Sequence, residues 1–292
     1  MIDLAGLNAL DRPAFVALLA NVYEHARWAA EVAEAARPFA SFAALQGAFA
    51  RAVALAPAEQ QLELIGAHPE LADRLARGAL TEHSRGEQKG AGLDSLSDAE
   101  FAQLTELNRA YRDRFAFPFI ICVRRHTKDS ILKAFRVRLA HDRDQERATA
   151  LAETDRIAAL RLADIVDDPA TAALNGVLST HVLDTHAGKP AVGVAITLHE
   201  LCLAGPPRLL AQRVTNLQGR TDTPLIAGRP LPQGRYELSF AIGDYFAARG
   251  VISGEQSYLD HVPVRFAIAD AEAHYHIPLL VTPWSYSTYR GS

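Results

Sequence analysis

Several places along the chain gather side chains that could do chemistry. His274 and His276 are separated by one residue just before the apolar run Ile277 to Val281. On a strand both would point to the same face. Two imidazoles so placed serve either as polar residues of a solvated strand or as two ligands of a metal ion. No carboxylate or thiol stands at ligand spacing to complete a metal set. In Gly66-Ala67-His68-Pro69-Glu70-Leu71 a histidine precedes a proline that can open a helix. His68 would then sit at a helix N-terminus, where free backbone N–H groups attract anions, or act only as a structural cap. The segment Ser84 to Leu93 is polar and rich in glycine, which lets backbone approach either a ligand or another helix. The apolar run from Phe115 to Val123, interrupted by Pro118, reads as core.

Two halves of different period must position these groups. At 292 residues the chain exceeds one ordinary core, so two domains are expected. Phe15, Leu18, Leu19 and Val22 fall on one helical stripe, and Pro57 opens a run from Glu59 to Ile65 that Gly66 can end. Ser97-Asp98-Ala99-Glu100 is a capping-box pattern, followed by an apolar face of Phe101, Leu104, Leu107 and Tyr111. A last helix is expected over Gln145 to Val166, and no strand alternation occurs before about Asn175. Beyond that point the period becomes two. Val192, Val194, Ile196 and Leu198 alternate, as do Tyr236 to Ile242 and Val262 to Ile268, with Gly and Pro marking turns between them. The expected fold class is multidomain α and β: an all-α domain over 1–166, a linker over 167–177 and a β-sandwich over 178–292.

Composition excludes some functions. The chain is 49% apolar and 22% charged, which is globular composition, and its net charge of -4 argues against a general nucleic-acid binder. The apolar stretch from Ala116 to Val123 is too short to span a bilayer, so no membrane partner is expected. The first dozen residues do not read as a secretory signal. Cys122 and Cys202, the two cysteines, form no CxxC pair and no disulfide framework, which fits a reducing cytoplasm.

The segments His181-Val-Leu-Asp-Thr-His-Ala-Gly-Lys-Pro-Ala191, Thr215-Asn-Leu-Gln-Gly-Arg220 and His274-Tyr-His-Ile-Pro-Leu-Leu280, with the terminal Tyr289-Arg290-Gly291-Ser292, together resemble the 5-hydroxyisourate hydrolases. These are the enzymatic relatives of transthyretin, and the resemblance covers about residues 178–292. Gln218 departs from the acidic residue more usual there. The resemblance implies His181, Arg220 and His276 as catalytic residues, with Tyr289, Arg290, Gly291 and Ser292 lining the site. A neutral imidazole near pH 7 can assist water activation, and a guanidinium offers a planar fork of donors to a developing oxyanion. A non-catalytic binder of apolar hormones would instead line its channel with neutral groups. The resemblance further implies a homotetramer with sites at its dimer–dimer interface. His274, His186, His199 and His261 are read as structural or surface residues.

The first half carries His68-Pro-Glu-Leu, the Ser84-x-x-Glu-Gln-x-x-Ala-Gly-Leu93 pattern, Leu107-Asn-x-x-Tyr111 running into Phe117-Pro-Phe-Ile-Ile-Cys-Val123, and Arg156-Ile-Ala-Ala-Leu-Arg161. In this order they resemble the 2-oxo-4-hydroxy-4-carboxy-5-ureidoimidazoline (OHCU) decarboxylases over roughly residues 5–166. Ala116 replaces a usual glycine. This resemblance implies His68 as catalytic acid/base and Glu87 as its partner. It places Pro69, Ser84, Gln88 and the segment Phe119, Ile120, Ile121, Cys122 and Val123 against substrate, with Arg161 as a carboxylate anchor. No cofactor and no metal are implied.

The two resemblances name consecutive steps, so a bifunctional enzyme of urate degradation is expected, with small ureides as substrates. Two other readings stand beside it: a metal-dependent cyclic amidohydrolase using His274 and His276, and a ureide-binding scaffold with one inactive domain. The terminal Arg-Gly-Ser does not match the peroxisomal tripeptide, leaving cytoplasm as the expected location.

Overall fold

The computed structural model describes every residue except 69, 72–92, 94–95, 253–256 and 292. It divides into two compact units, 1–174 and 175–292. In the first unit, side-chain caps start most of the helices. Asp3 caps α1 (Leu4–Ala9), Asp11 caps α2 (Arg12–Leu19) and Ser41 caps α4 (Phe42–Ala54), each accepting from a backbone N–H three residues on. α3 spans Arg27–Glu34, and α5 (Ala58–Gly66) begins directly after Pro57. The Ser97–Glu100 capping box forms as expected at the head of α6 (Asp98–Phe115). Thr127 caps α7 (Lys128–Arg138), and a second box, Asp142 with Gln145, opens α8 (Arg143–Ile165).

α6 ends at Ala116, whose φ of +64° is left-handed and whose N–H donates to Arg112 O at 2.8 Å. Only glycine takes this conformation freely, so an alanine here costs about 1–2 kcal/mol. The substitution of a usual glycine thus falls on the one turn of this helix that needs it.

Two apolar clusters fill the first unit. One joins Leu7, Phe15, Leu19, Leu45 and Phe49 of the early helices to Ala158 and Leu162 of α8. The other stacks Tyr111, Phe115, Phe117, Phe119 and Phe135 with Ile65 and Ala150. α8 therefore contributes to both. The expected stripe of α2 is corrected by one position: Leu18 is 41% exposed, and Val16 is buried in its place. Phe101 on α6 is likewise on the outer edge of its face. The unit also contains a two-residue parallel pair, β1 (Ile2–Asp3) against β2 (Val166–Asp167), which two residues of sequence are too short to announce. The stretch 167–177 holds β2, a 3₁₀ turn over Pro169–Leu174 and the start of the next strand; Leu174 packs on the helical core.

The second unit is a sandwich of two sheets. One pairs β11 (Tyr286–Thr288), β10 (His274–Val281), β3 (Gly176–Asp184) and β4 (Lys189–Pro190) in that order, with β7 (Ile226–Arg229) also on β3. The other runs β6 (Arg208–Val214), β5 (Ala195–Glu200), β8 (Gly234–Ala241) and β9 (His261–Ile268). Residues of alternating period fill the space between them: Val194, Ile196 and Leu198, Tyr236, Leu238 and Phe240, Val262 and Val264. Two expectations fail at strand ends. Val192 is exposed because Gly193, at φ +88°, turns the chain before β5. Ile242 does not continue β8 but begins a helix, α9 (Ile242–Ala248), burying Ile242, Tyr245 and Phe246 at the 3.6-residue period.

Candidate functional sites

In the second unit β3 and β10 run parallel, with Ser179 opposite His276 and His181 opposite Pro278. Leu178, Thr180 and Val182 alternate into the interior, as do Tyr275, Ile277 and Leu279. Ser179, His181, His274 and His276 therefore share the outer face of that sheet. Arg220 arrives from a turn built on Asn216, whose Oδ1 accepts the N–H groups of Gln218 (3.0 Å) and Arg220 (3.2 Å). The turn docks on β3 through Val182 N–H to Gly219 O at 2.8 Å and a bridge between Arg220 and His181. Gly219 has φ +71°, and a Cβ there would stand 2.3 Å from Val182 O, so only glycine allows this approach. The chain end closes the site: Gly291 N–H donates to His276 O at 2.9 Å. Arg290 lies over the Tyr275 ring at 4.8 Å, whereas Tyr289 is exposed. Ser292 lies outside the described residues.

Burial, reinforced by neighbouring positive charge, governs the imidazoles of the site. Burial, then the Arg220 guanidinium, lowers the pKa of His181, while a hydrogen bond to the Gln218 backbone works the other way. His276 is lowered by burial, then by Arg220, His274 and His181. Both rings are held toward the neutral form that can accept a proton. His181 Nε2 is buried without a hydrogen-bond partner among the described residues, a cost that a bound polar group would remove. The structure thus brings together His181, Arg220, His276 and the tail. It adds Ser179, which sequence reasoning passed over although it stands two residues before His181 on one strand. Ser179 Oγ bonds His274 Nε2 at 2.8 Å and His276 Nδ1 at 3.0 Å. His274, expected to be structural or on the surface, is exposed and joined to His276 through this hydroxyl. Among the described residues, no three His, Cys, Asp or Glu side chains converge as a metal site.

In the first unit His68 is buried just beyond the end of α5, its Nδ1 3.3 Å from Leu64 O. Donation from Nδ1 leaves Nε2 as the position that can take or give a proton. Pro69, Ser84, Glu87 and Gln88 lie outside the described residues. Phe119 to Val123 are buried, and their backbone is clamped at two points. Arg138 Nη1 donates to Ile120 O at 2.7 Å, and Cys122 N–H donates to Glu153 Oε2 at 2.8 Å. Arg138 is itself held by Glu146, fully buried, which also takes the Tyr111 hydroxyl and His141 Nδ1. The sequence did not announce this network, because its partners come from separate elements, 5 to 35 residues apart. Phe119 turns its ring inward, stacked on Phe135 and under Arg138 at 4.3 Å, so it can meet a ligand only through its backbone. Ile121, Cys122, Val123 and Arg161 line one small cavity with Ile157 and Leu160. Arg161 also pairs with Glu24 and donates to Asn21 O, both at 3.1 Å.

Comparison with known proteins agrees with this division. The profile of the OHCU decarboxylase family matches residues 8–163, and that of the HIUase/Transthyretin family matches residues 178–291. A 5-hydroxyisourate hydrolase of Ralstonia nicotianae is 53% identical over 119 residues, which is 40% of this chain and 99% of that protein. An OHCU decarboxylase of Haloferax volcanii is 42% identical over 163 residues, 56% of this chain and 95% of that protein. The crystal structure of an (S)-allantoin synthase is 35% identical and covers 100% of both chains, with a TM-score of 0.55.

Proposed function

Since the chain belongs to the OHCU decarboxylase family over its first unit and to the HIUase/Transthyretin family over its second, we propose that it carries out consecutive steps of urate degradation. The second unit hydrolyses 5-hydroxyisourate to OHCU, and the first decarboxylates OHCU to (S)-allantoin. The observation that carries this reading is the joining of both families on one chain over its whole length.

For hydrolysis, His276 and His181 are the bases that activate water, favoured by the lowered pKa of both rings. Arg220 binds the oxygen on which negative charge develops as the C–N bond opens. Tyr289, Arg290, Gly291 and Ser292 shape the wall. For decarboxylation, electrons left by departing CO2 pass into the adjacent ring carbonyl as an enolate. Backbone donors of Phe119 to Val123 can stabilise that oxygen, held in place by Arg138 and Glu153. His68, partnered by Glu87, delivers a proton to one face. Pro69, Ser84 and Gln88 complete the pocket, and Arg161 anchors a carboxylate or ureido oxygen with donors beyond its pairing to Glu24. Neither step calls for a metal or cofactor. Metal ligation by His274 and His276 is disfavoured by Ser179, whose hydroxyl already occupies one nitrogen of each.

No helix among the described residues is long and apolar enough to cross a membrane. We place the enzyme in the cytoplasm, in keeping with Cys122 and Cys202 not being joined in a disulfide. A homotetramer through the second unit is supported by the aromatic chain end, where Trp284, Tyr286 and Tyr289 are exposed in the single chain.

Circular dichroism of freshly generated 5-hydroxyisourate with purified protein tests the reading directly. The expected result is rapid appearance of (S)-allantoin; an unchanged rate and handedness of spontaneous decay would overturn it. His68→Ala should remove the second step and keep the first, and His276→Ala should do the reverse.

A further inference from the structure

Ser179 and His274 play no part in the chemistry derived so far, although they connect it to water. The three groups follow one another outward. His276 and Ser179 are half-buried, and His274 is exposed. Ser179 stands opposite His276 in the β3–β10 register, with His274 two residues away on the same strand. The two rings lie 6.2 Å apart, and the hydroxyl spans them with contacts of 2.8 and 3.0 Å. Nδ1 of His276 meets the serine, while the opposite, Cδ2 edge of the ring meets the Gly291 backbone that closes the site.

A hydroxyl has one proton to donate, so a bridge between two neutral imidazoles has a direction. In one arrangement His276 Nδ1–H donates to Ser179, and Ser179 donates to His274 Nε2. In the other, His274 Nε2–H donates to Ser179, and Ser179 donates to His276 Nδ1. The two interconvert by passing a proton from His276 Nδ1 to Oγ and another from Oγ to His274 Nε2, with one gained at His276 Nε2 and one lost at His274 Nδ1. They leave different nitrogens of His276 with the lone pair.

We propose that Ser179 and His274 form a proton relay joining the catalytic imidazole of His276 to solvent. The proposal rests on the hydrolase reading of the second unit. As water attacks, His276 Nε2 takes its proton. The Nδ1 proton then passes to Ser179 Oγ, the serine proton passes to His274 Nε2, and His274 Nδ1 releases a proton to bulk water. When the ring C–N bond breaks, the sequence reverses: Nε2–H goes to the leaving nitrogen, and His274 recovers a proton from solvent. Protons balance over the cycle, and the net change is addition of one water. The charged surroundings favour this direction. His276 faces Arg220 from the turn and His181 from β3, besides His274 on its own strand. A proton kept on His276 would stand beside a guanidinium, whereas on His274 it stands in water.

The test uses the full chain and its Ser179→Ala, Ser179→Thr and His274→Gln variants, with loss of 5-hydroxyisourate followed at low and high buffer concentration. Ser179→Ala and His274→Gln are expected to lower kcat about ten- to a hundredfold at low buffer with KM unchanged. Added imidazole should restore the rate, because a mobile base then accepts the proton. Ser179→Thr, which keeps the hydroxyl, should retain it. Histidine ¹⁵N NMR gives a readout that does not depend on turnover: His274 and His276 should titrate as a coupled pair in the parent and independently in Ser179→Ala. An active parent matched by both relay variants, a loss that imidazole does not rescue, or titrations unaffected by Ser179→Ala would each overturn the relay alone. A parent inert toward 5-hydroxyisourate would overturn the hydrolase reading and the relay with it.

Discussion

His276 is fixed by contacts on opposite edges of its ring, Ser179 on Nδ1 and the Gly291 backbone against Cδ2. A Cβ at position 291 would stand 2.6 Å from Cδ2, closer than carbon atoms pack, so the ring or the tail must shift. Gly291→Ala is expected to lower kcat/KM for the first step about a hundredfold, as a misplacement near 1 Å does. Steady-state kinetics check this, with the second step as an internal control. In the first unit His126 is buried with its Nδ1 3.0 Å from Ser130 Oγ. Burial pushes its pKa down to about 4, outweighing the opposing pull of Glu153. Above the ordinary imidazole value near 6.5 the ring is neutral in both folded and unfolded states and contributes nothing to pH dependence. As pH falls from 6.5 toward 4 the unfolded chain binds a proton that the folded chain refuses, so stability is lost. The loss amounts to roughly 3 kcal/mol across that window. Denaturant unfolding at pH 7 and pH 4.5 should show it in the parent, and His126→Asn should reduce the difference.

The segment Phe119 to Val123 has no regular hydrogen bonding until Val123, so the elements around it must hold its backbone. α7 supplies Arg138 to the Ile120 carbonyl, and α8 supplies Glu153 to the Cys122 amide. Glu146, also on α8, neutralises Arg138 inside the core. Removing one partner of such a pair leaves the other charge buried alone. Glu146→Gln should therefore destabilise the protein by about 3–5 kcal/mol in denaturant unfolding. It should also depress OHCU decarboxylation while hydrolysis continues. Much of the element structure was legible beforehand. The capping box at Ser97, the proline before α5 and the alternation of β5, β8 and β9 depend on neighbours in sequence, and they form. The two-residue pair of β1 and β2 and the turn into α9 were not, since their partners lie far along the chain or on the opposite sheet.

For the molecule as a whole, the consequence of joining two units is that the product of one step is released by the same chain that carries the next enzyme. A tether of this kind raises local concentration to about the millimolar range when free enzyme is scarce. Full-length His68→Ala and His276→Ala chains, mixed at nanomolar concentration, each retain one working site. The parent at the same concentration of active sites should give a larger excess of (S)-allantoin than the mixture. An equal excess, measured by circular dichroism, would show that fusion gives no kinetic advantage.

The amino-acid sequence by itself determined the two-part organisation and the change of period near Asn175, whereas His181, Arg220 and His276 were singled out through a family resemblance. The organisation and the period are properties of short segments: caps, alternation and glycine-bearing turns act over a few residues. Only the tertiary structure decided that Ser179 links His274 to His276 and that Arg138, Glu146 and Glu153 hold the Phe119–Val123 backbone. The physical reason is common to both. The energy of a buried hydrogen bond or ion pair resides in its partner, and here the partners are 18 to 97 residues apart where they reach from Arg138 to Ile120, from Glu153 to Cys122, or from Ser179 to His276.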